Sequence, residues 1–355
     1  MRNQSYTLLV PFFLFILFGW ILLRAGALPV ISDPLPPKPA PRYGMHTLMA
    51  DERTLPLVRN AGFDSAVQLF TWWDIEPQKG QFLWQVADDA VDIAEQQGLN
   101  LLVRLDKQPT WANVDPLTPG QPPVDLKEYD RWVRRVAKRY KGRVTAYLIW
   151  NEPNLAAEWS GLPPDPAAYV EVLRVGYAAV KETDPNALVV SAGLAATNTQ
   201  NADALDDRIF LQRMYEAGAA DYYDVLSIHP YGFGFPPDDP HDAHGGTNLA
   251  RLEDWREIMV RNGDDKPVWV TEMGWTIKGN EHSIWQEVTR AEQADYLVRS
   301  LEKIRSDYPW VELITVWNMG GEASSEWGGY SLLELDGSPR PAYYALQEYV
   351  TSELE

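Results

Sequence analysis

From Tyr43 onward, short apolar runs alternate with longer segments in which apolar residues recur at helical spacing. The runs are rich in Val, Leu and Ile, and most of them lack polar alternation. Such runs are typical of strands in a parallel sheet that is fully covered by helices. Eight runs follow this pattern: Tyr43–His46, Ser65–Phe70, Leu101–Leu105, Val144–Trp150, Ala187–Ala192, Val225–His229, Val268–Glu272 and Leu313–Trp317.

The segments between these runs each have one apolar helical face. Residues 126–140, 169–180 and 291–304 show it, and a last helix is expected near residues 341–350. Successive strand–helix units predict an α/β fold, a (β/α)8 TIM barrel, with residues 43–355 as its single domain. An open doubly wound sheet is the alternative, and it is less favoured because no Gly-rich dinucleotide fingerprint follows the first strand.

The N-terminal residues have a different character. The stretch from Thr7 to Leu23 is uncharged and apolar, between Arg2 and Arg24. It is a little long for a signal-peptide core of about 7–15 residues and a little short for a membrane span of about 20. Residues 1–27 are therefore expected to be a signal peptide or a membrane anchor. Residues 28–42, LPVISDPLPPKPAPR, predict a Pro-rich linker. We expect an extracytoplasmic barrel that is secreted or anchored by this segment.

The charge of the chain limits its partners. It has 50 acidic and 31 basic residues, a formal net charge of −19, and no cysteine. Such a chain repels phosphate backbones, so no nucleic-acid partner is expected. The lack of cysteine excludes disulfides, thiolate metal sites and Cys nucleophiles. We expect a monomer that touches a membrane only through its N-terminal segment.

The polar residues that end the predicted strands should meet at one mouth, because the strands of such a barrel all point the same way. The fourth run ends in Trp150–Asn154 (WNEPN) and the seventh leads into Thr271–Trp275 (TEMGW). These two strands face each other across a barrel, so Glu152 and Glu272 can approach across the pocket. Two facing carboxylates with aromatic walls suit cleavage of a glycosidic bond, with one as acid/base and the other as nucleophile.

Further side chains are expected at the same mouth. His46 ends the first strand, His229 and Tyr231 come at the end of the sixth, and Trp317 ends the eighth. We expect these four side chains and Trp275 to bind the substrate, since sugars stack on aromatic rings. The Trp residues placed for the mouth are Trp72, Trp73, Trp111, Trp159, Trp275 and Trp317, whereas Trp84 and Trp132 fit helix packing. Glu76, beside Pro77, is expected to fix the loop after the second strand.

These motifs resemble those of the clan A glycoside hydrolases, (β/α)8 retaining enzymes with catalytic Glu residues on strands 4 and 7. The resemblance covers Tyr43 to about Tyr349. It implies that Glu152 is the general acid/base, that Glu272 is the nucleophile and that Asn151 binds the sugar 2-hydroxyl. It also implies that the Tyr231 hydroxyl supports the nucleophile, as part of a pair with His229, and that Trp317 floors the sugar site.

Within the clan, the chain is similar to families 39 and 5, on the motif Trp73–Pro77 (WDIEP) followed by Gly80–Phe82 (GQF). Many family 5 members carry an Arg at the end of strand 2, where this chain reads Val67–Leu69 (VQL). Arg104 on the third strand is expected to supply that charge and to bind the substrate. Family 39 β-xylosidases add a β-sandwich after the barrel, whereas this sequence ends at Glu355. We therefore expect a single-domain enzyme that cuts a β-linked polysaccharide or oligosaccharide by double displacement, without a metal or organic cofactor.

Two other functions stay open. A metal-dependent barrel hydrolase would use the His/Asp cluster His241–His244 (HDAH), although this cluster lies in a Pro/Gly-rich loop and not at strand ends. A non-catalytic glycan-binding barrel tethered to the surface would bind polysaccharide without cleaving it. The presence of both Glu152 and Glu272 argues against that function.

Overall fold

The structure is a computed structural model, and it describes residues 40–113, 121–277, 286–320 and 326–353. These residues belong to one compact unit, Pro39–Glu355. The predicted signal or anchor and most of the predicted linker lie outside the described residues. Within the described ranges, no helix has both the length and the apolar character needed to cross a membrane.

The strands that form the central sheet are all parallel. The sheet contains nine strands in the order β5-β4-β3-β2-β1-β11-β8-β7-β6. β9 and β10 form a separate parallel pair. The strand bounds are β1 (Arg42–Thr47), β2 (Ser65–Leu69), β3 (Asn100–Leu105), β4 (Ala146–Ile149), β5 (Leu188–Val190), β6 (Leu194–Ala195), β7 (Leu226–His229), β8 (Val268–Val270), β9 (Thr276–Ile277), β10 (Glu287–Val288) and β11 (Val311–Met319).

The fifth strand of the barrel is broken into β5 and β6, and this break closes the sheet. β5 pairs with β4, whereas β6 pairs with β7. An isolated parallel bridge between Val190 and Val225 joins the two edges directly. β1 lies between β2 and β11, as neighbouring first and last strands require in a closed barrel. The predicted (β/α)8 barrel is therefore confirmed, and the open-sheet alternative is wrong.

Helices follow the strands in the predicted alternation. Their bounds are α1 (Thr54–Asn60), α2 (Trp72–Ile75), α3 (Gln85–Gln97), α4 (Leu126–Arg139), α5 (Pro166–Thr183), α6 (Asp207–Glu216), α7 (Arg251–Arg261), α8 (Arg290–Asp307) and α9 (Pro341–Ser352). Short polar side chains set several helix starts. Asp125 accepts a hydrogen bond from the Lys127 amide at 2.9 Å, and Thr289 forms a capping box with Glu292. Losing such a cap costs about 1 kcal/mol.

Two apolar layers hold the barrel together. The larger layer lies between the strands and the surrounding helices and contains the fully buried Trp132, Tyr169 and Leu301. The smaller layer fills the inside of the barrel with Val67, Leu102, Ala146, Leu148, Val190, Val225, Trp269 and Leu313. Each large apolar side chain buried in this way stabilises the fold by about 1.5–3 kcal/mol. The filled interior leaves the strand ends as the place for a pocket.

Candidate active site

The turn after β4 holds Glu152 in an uncommon backbone conformation. Trp150 has a φ of 76° and Glu152 a φ of 36°, both in the left-handed region that L side chains rarely adopt. The Glu152 amide donates to the Gly193 carbonyl at 3.0 Å, and the Trp150 indole donates to the Glu158 carbonyl at 3.1 Å. Non-glycine residues held in this region cluster at functional sites, because the surrounding structure must impose the conformation.

Glu272 lies just beyond β8, and its carboxylate is almost fully buried. Arg104 Nη1 donates to its Oε1 at 2.6 Å, and the Tyr231 hydroxyl donates to its Oε2 at 2.9 Å. Burial raises the pKa of Tyr231, and the charge of Glu272 raises it further, so the phenol remains a donor. Donors on both oxygens fix the direction in which this carboxylate faces the mouth.

Glu152 faces Glu272 with His229 between them. His229 Nδ1 lies 2.8 Å from Glu152 Oε1 and 3.7 Å from Glu272 Oε2. Burial raises the pKa of Glu152 and the charge of Glu272 adds to the rise, although His229 opposes it. A carboxyl group with a raised pKa keeps its proton to higher pH, as a general acid must.

His229 is held on several sides. Its Nε2 lies 2.9 Å from Thr271 Oγ1, and a Cβ added at Gly193 would lie only 2.1 Å from the same nitrogen. Gly193 therefore makes room for the imidazole. Burial alone would lower the pKa of His229, but the carboxylates of Glu272 and Glu152 outweigh it and raise the pKa. The ring is thus both fixed in place and able to carry a proton next to Glu152.

Arg104 brings a buried positive charge to the site from β3. Beside its bond to Glu272, Nη1 donates to Asn151 Oδ1 at 2.9 Å, and Nε donates to Asp106 Oδ2 at 2.8 Å. Burial alone would lower its pKa, but Asp106 and Glu272 outweigh burial and raise it. The guanidinium therefore stays charged and links the side chains that follow β3, β4 and β8.

Three charged residues of this site were missed in the sequence. Asp106 and Lys107 directly follow Leu105, the last residue of β3, and Glu158 lies in the short helical turn Ala156–Trp159. Lys107 Nζ lies 2.5 Å from Glu158 Oε2. A run of charges at the end of an apolar strand was the available signal for Asp106 and Lys107. A turn brings Glu158 to the mouth, and no local sequence pattern predicts that placement.

Trp317 and His46 lie together below the carboxylates. Their rings are in edge contact, with centroids 4.4 Å apart, and Trp327, 37% exposed, stands edge-on to Trp317 at 5.8 Å. His46 is fully buried, and its Nε2 lies 3.6 Å from Glu272 Oε1. Burial lowers the pKa of His46, and the charge of Arg104 lowers it further, so the ring is neutral. His46 thus packs beneath the nucleophile candidate, which does not fit the expected contact with substrate.

The placement of Trp275 also does not fit a substrate contact. Its ring is fully buried, and its indole donates to the Phe235 carbonyl at 2.9 Å. A Cβ added at Gly232 would lie 2.0 Å from the ring, so the neighbouring loop closes tightly over it. Trp275 therefore supports the loop after β7. Trp72 and Trp159 are likewise buried, whereas Trp111 keeps a partly exposed ring.

Glu76 fixes its own loop, as expected. It is fully buried, and its carboxylate accepts hydrogen bonds from the Trp72 indole and the Gly80 amide, each at 2.8 Å. Arg131 on α4 donates to both carboxylate oxygens at 2.8 Å. These bonds join the loop after β2 to the outer helices, so Glu76 has a structural role.

The His/Asp cluster of the metal-dependent alternative does not converge. His241 Nε2 lies 2.8 Å from Asp254, whereas His244 Nε2 lies 2.6 Å from Asp239. Across the described ranges, the His and acidic side chains that do converge are Glu152, His229 and Glu272, whose ligand atoms lie within 4.8 Å of one another. The Arg104 guanidinium beside Glu272 disfavours a second cation at that position.

Comparisons with known proteins match the chain to glycoside hydrolases. A family model described as cellulase (glycosyl hydrolase family 5) matches residues 43–311. A family 39 glycoside hydrolase from the gut symbiont Bacteroides cellulosilyticus is 25% identical, with a TM-score of 0.66 over 88% of this chain and 64% of that chain. The chain therefore spans somewhat less than two thirds of that enzyme. No curated protein sequence matches the chain.

Two other solved structures share the fold. A family 39 β-xylosidase from Caulobacter crescentus is 20% identical, with a TM-score of 0.61 over 87% of this chain and 72% of that chain. Xylanase 10B from Thermotoga maritima is 17% identical, with a TM-score of 0.58 over 88% of this chain and 95% of that chain. The resemblance to clan A glycoside hydrolases is thus confirmed, and the family-model match covers most of the barrel. The chain belongs to the cellulase family, glycosyl hydrolase family 5.

Proposed function

We propose that this protein is a glycosidase, a retaining glycoside hydrolase that cleaves O-glycosidic bonds of a β-linked polysaccharide or oligosaccharide by double displacement. The spacing of the two carboxylates is the main support. The ligand atoms of Glu152, His229 and Glu272 lie within 4.8 Å of one another. Retaining enzymes hold their carboxyl groups about 5–5.5 Å apart, whereas inverting enzymes leave about 6.5–9.5 Å for a water molecule. The short separation favours retention.

In the first step, the Glu272 carboxylate attacks the anomeric carbon. Glu152 donates its proton to the glycosidic oxygen as the bond from carbon to that oxygen breaks, and a covalent glycosyl-enzyme forms. Arg104 and Tyr231 hold the attacking carboxylate in its direction. The raised pKa of Glu152 keeps the required proton on the acid.

In the second step, Glu152 acts as a base. Its carboxylate removes a proton from water, the water oxygen attacks the anomeric carbon, and Glu272 leaves with both electrons of the ester bond. His229 Nδ1, at 2.8 Å from Glu152, stabilises the negative charge that Glu152 carries between the two steps. The sugar is released with its original anomeric configuration.

The substrate class is inferred from the walls of the mouth and from the relatives. Asn151 lies beside Glu152 with its amide oxygen bound to Arg104, which leaves an N–H for a ligand such as a sugar 2-hydroxyl. Trp317 is 6% exposed, and Trp327, 37% exposed and edge-on to it, offers the more open aromatic surface for a pyranose. The family is named for cellulase, and two solved relatives are named as a β-xylosidase and a xylanase. These names favour a β-linked glycan.

A glycan screen tests this function. The purified full-length protein is incubated with β-glucans, xylans and mannans, and products are sized by mass while NMR follows the anomeric configuration of the first product. We expect cleavage of at least one polymer with retention, and we expect internal cleavage to give oligosaccharides early. Inverted product would refute the double displacement. If no glycan is cleaved and Glu272→Ala is indistinguishable from the unaltered protein, the proposal that this protein is a glycosidase is refuted.

We also propose that the barrel works outside the cytoplasmic membrane. The apolar stretch from Thr7 to Leu23 and the Pro-rich residues 28–42 support this location. Protease added to spheroplasts should remove the barrel while a cytoplasmic marker survives. A barrel that stays intact until the cells are lysed would contradict the proposal.

A further inference from the structure

Lys107 has a backbone conformation that is unusual for a lysine. Its φ is 57°, in the left-handed region that glycine adopts without strain. The neighbouring loop holds it there, because the Trp72 and Trp73 amides donate to the carbonyls of Asp106 and Lys107 at 2.8 and 3.0 Å. Non-glycine residues in this region cluster at functional sites, because the surrounding structure must impose the conformation.

The Lys107 ammonium meets Glu158 at the mouth. Nζ lies 2.5 Å from Oε2, and the two side chains are 21% and 22% exposed. Burial alone would raise the pKa of Glu158, but Lys107 and Arg104 outweigh it and lower the pKa. Glu158 is therefore a carboxylate, which can accept hydrogen bonds but cannot donate them.

The Asn151 side chain also faces Glu158, and its amide N–H lowers the pKa of Glu158 further. On the other side, Asn151 Oδ1 accepts a hydrogen bond from Arg104 Nη1 at 2.9 Å. An amide has one accepting end and one donating end, and Arg104 can only donate whereas Glu158 can only accept. Asn151 can satisfy both neighbours in only one of its two orientations. In that orientation, one N–H remains for a ligand.

We propose that Glu158, held by Lys107, is a positioning residue that fixes the Asn151 amide so that an N–H faces the 2-hydroxyl of the sugar attacked by Glu272. This inference rests on the proposed function. Hydrogen bonds to the 2-hydroxyl strengthen in the transition state of glycoside hydrolysis. A disoriented Asn151 should therefore lower kcat more than it raises KM.

A pair of substrates isolates this effect. An aryl β-glycoside is compared with its 2-deoxy counterpart, which has the same leaving group but lacks the hydroxyl. The glycosyl group of both substrates is chosen first: it is the one whose aryl β-glycoside the unaltered protein hydrolyses fastest among glucose, xylose, mannose and galactose. The ratio of the two kcat/KM values then reports the contribution of the 2-hydroxyl alone.

In Glu158→Gln, the new amide can donate as well as accept, so Asn151 is no longer confined to one orientation. We expect the ratio to fall roughly tenfold, mostly through kcat on the hydroxylated substrate. Lys107→Met should lower the ratio in the same direction by a smaller factor. In an Asn151→Ala background, Glu158→Gln should lower the ratio no further, because both changes remove one interaction.

The matched control is Glu182→Gln on α5. It breaks another ion pair, with Arg134 Nη1 at 2.7 Å, on the outside of the barrel. This variant should keep the ratio of the unaltered protein. If Glu158→Gln does not fold, Lys107→Met carries the same comparison.

The outcomes separate the two proposals. A variant that loses activity equally on both substrates, with the ratio unchanged, overturns the positioning role while the glycosidase function stands. If the unaltered protein hydrolyses neither glycans nor aryl glycosides, the proposed function falls and the positioning role falls with it.

Discussion

Gly193→Ala should impair the site without altering either carboxylate. Gly193 lies in the break between β5 and β6, and a Cβ there would lie 2.1 Å from His229 Nε2 and 2.3 Å from Cδ2. Non-bonded carbon and nitrogen atoms settle near about 3.5 Å, so the imidazole must move by more than about 1 Å. The alanine therefore acts on the ring that contacts Glu152.

The size of the expected fall in kcat/KM follows from the hydrogen bonds that the His229 ring would lose. His229 lies 2.8 Å from Glu152 and 2.9 Å from Thr271, and neither bond survives such a displacement. A hydrogen bond to a charged group contributes about 1.5–3 kcal/mol, which corresponds to roughly 10- to 100-fold in rate. We expect kcat/KM to fall within that range. The loss should be greatest for poor leaving groups, because these depend most on the proton of Glu152.

The assay compares kcat/KM for aryl glycosides of good and poor leaving groups, with circular dichroism to confirm folding. Gly176→Ala on α5 is the control for crowding: its Cβ would lie 2.9–3.1 Å from three side-chain atoms of Ile149 in the layer between strands and helices, and alanine favours helix by about 1 kcal/mol. We expect this control to keep its activity. A folded Gly193→Ala protein with unaltered kcat/KM for both leaving groups would refute the role assigned to the position of His229.

Substitution of the two carboxylates should distinguish the nucleophile from the acid. Glu272→Ala should lose all hydrolysis, whereas Glu152→Ala should keep the first step on an aryl glycoside. Added azide should restore turnover of Glu152→Ala and give a β-glycosyl azide as the product. The opposite pattern would exchange the roles. Because burial raises the pKa of Glu152 and the first step needs its proton, activity should persist to higher pH than an ordinary carboxyl allows and fall as pH rises through the raised pKa. In Glu152→Gln, this basic limb should disappear with an activated aryl glycoside, and a limb that remains belongs to another group. A chelator should leave kcat/KM unchanged, because Arg104 rather than a metal neutralises Glu272. A loss of activity that added metal reverses would favour the metal-dependent alternative.

The strands were predictable because a covered parallel sheet requires continuous apolar runs. The run Leu101–Leu105, for example, matches β3 (Asn100–Leu105) to within one residue. The break in the fifth strand was not predictable. Residues 187–192 are mostly apolar, and nothing in them indicates that the distant His229 ring packs against Gly193 within the break. Local pattern contains no information on such a long-range fit.

The site was predictable where it depends on strand ends. Parallel strands share one end, so the sequence alone could place Glu152 and Glu272 at the same mouth, where the structure brings them together. The burial of Trp275 could not be foreseen. It depends on the Phe235 carbonyl and on the lack of a side chain at Gly232, both about 40 residues earlier in the chain. A motif tells which strand end a residue follows, but loop packing decides whether its ring reaches solvent.

The left-handed backbone of Glu152 implies that this residue lowers the thermal stability of the protein while it serves catalysis. A non-glycine residue in this region costs about 1–3 kcal/mol, and burying its carboxyl group adds to the penalty. Asparagine tolerates the same backbone and carries no charge, so a Glu152→Asn descendant should melt at a higher temperature than its active parent. Selection for durability alone would therefore discard the acid early. We therefore expect the glutamate to be kept only where cleavage of its substrate is under selection.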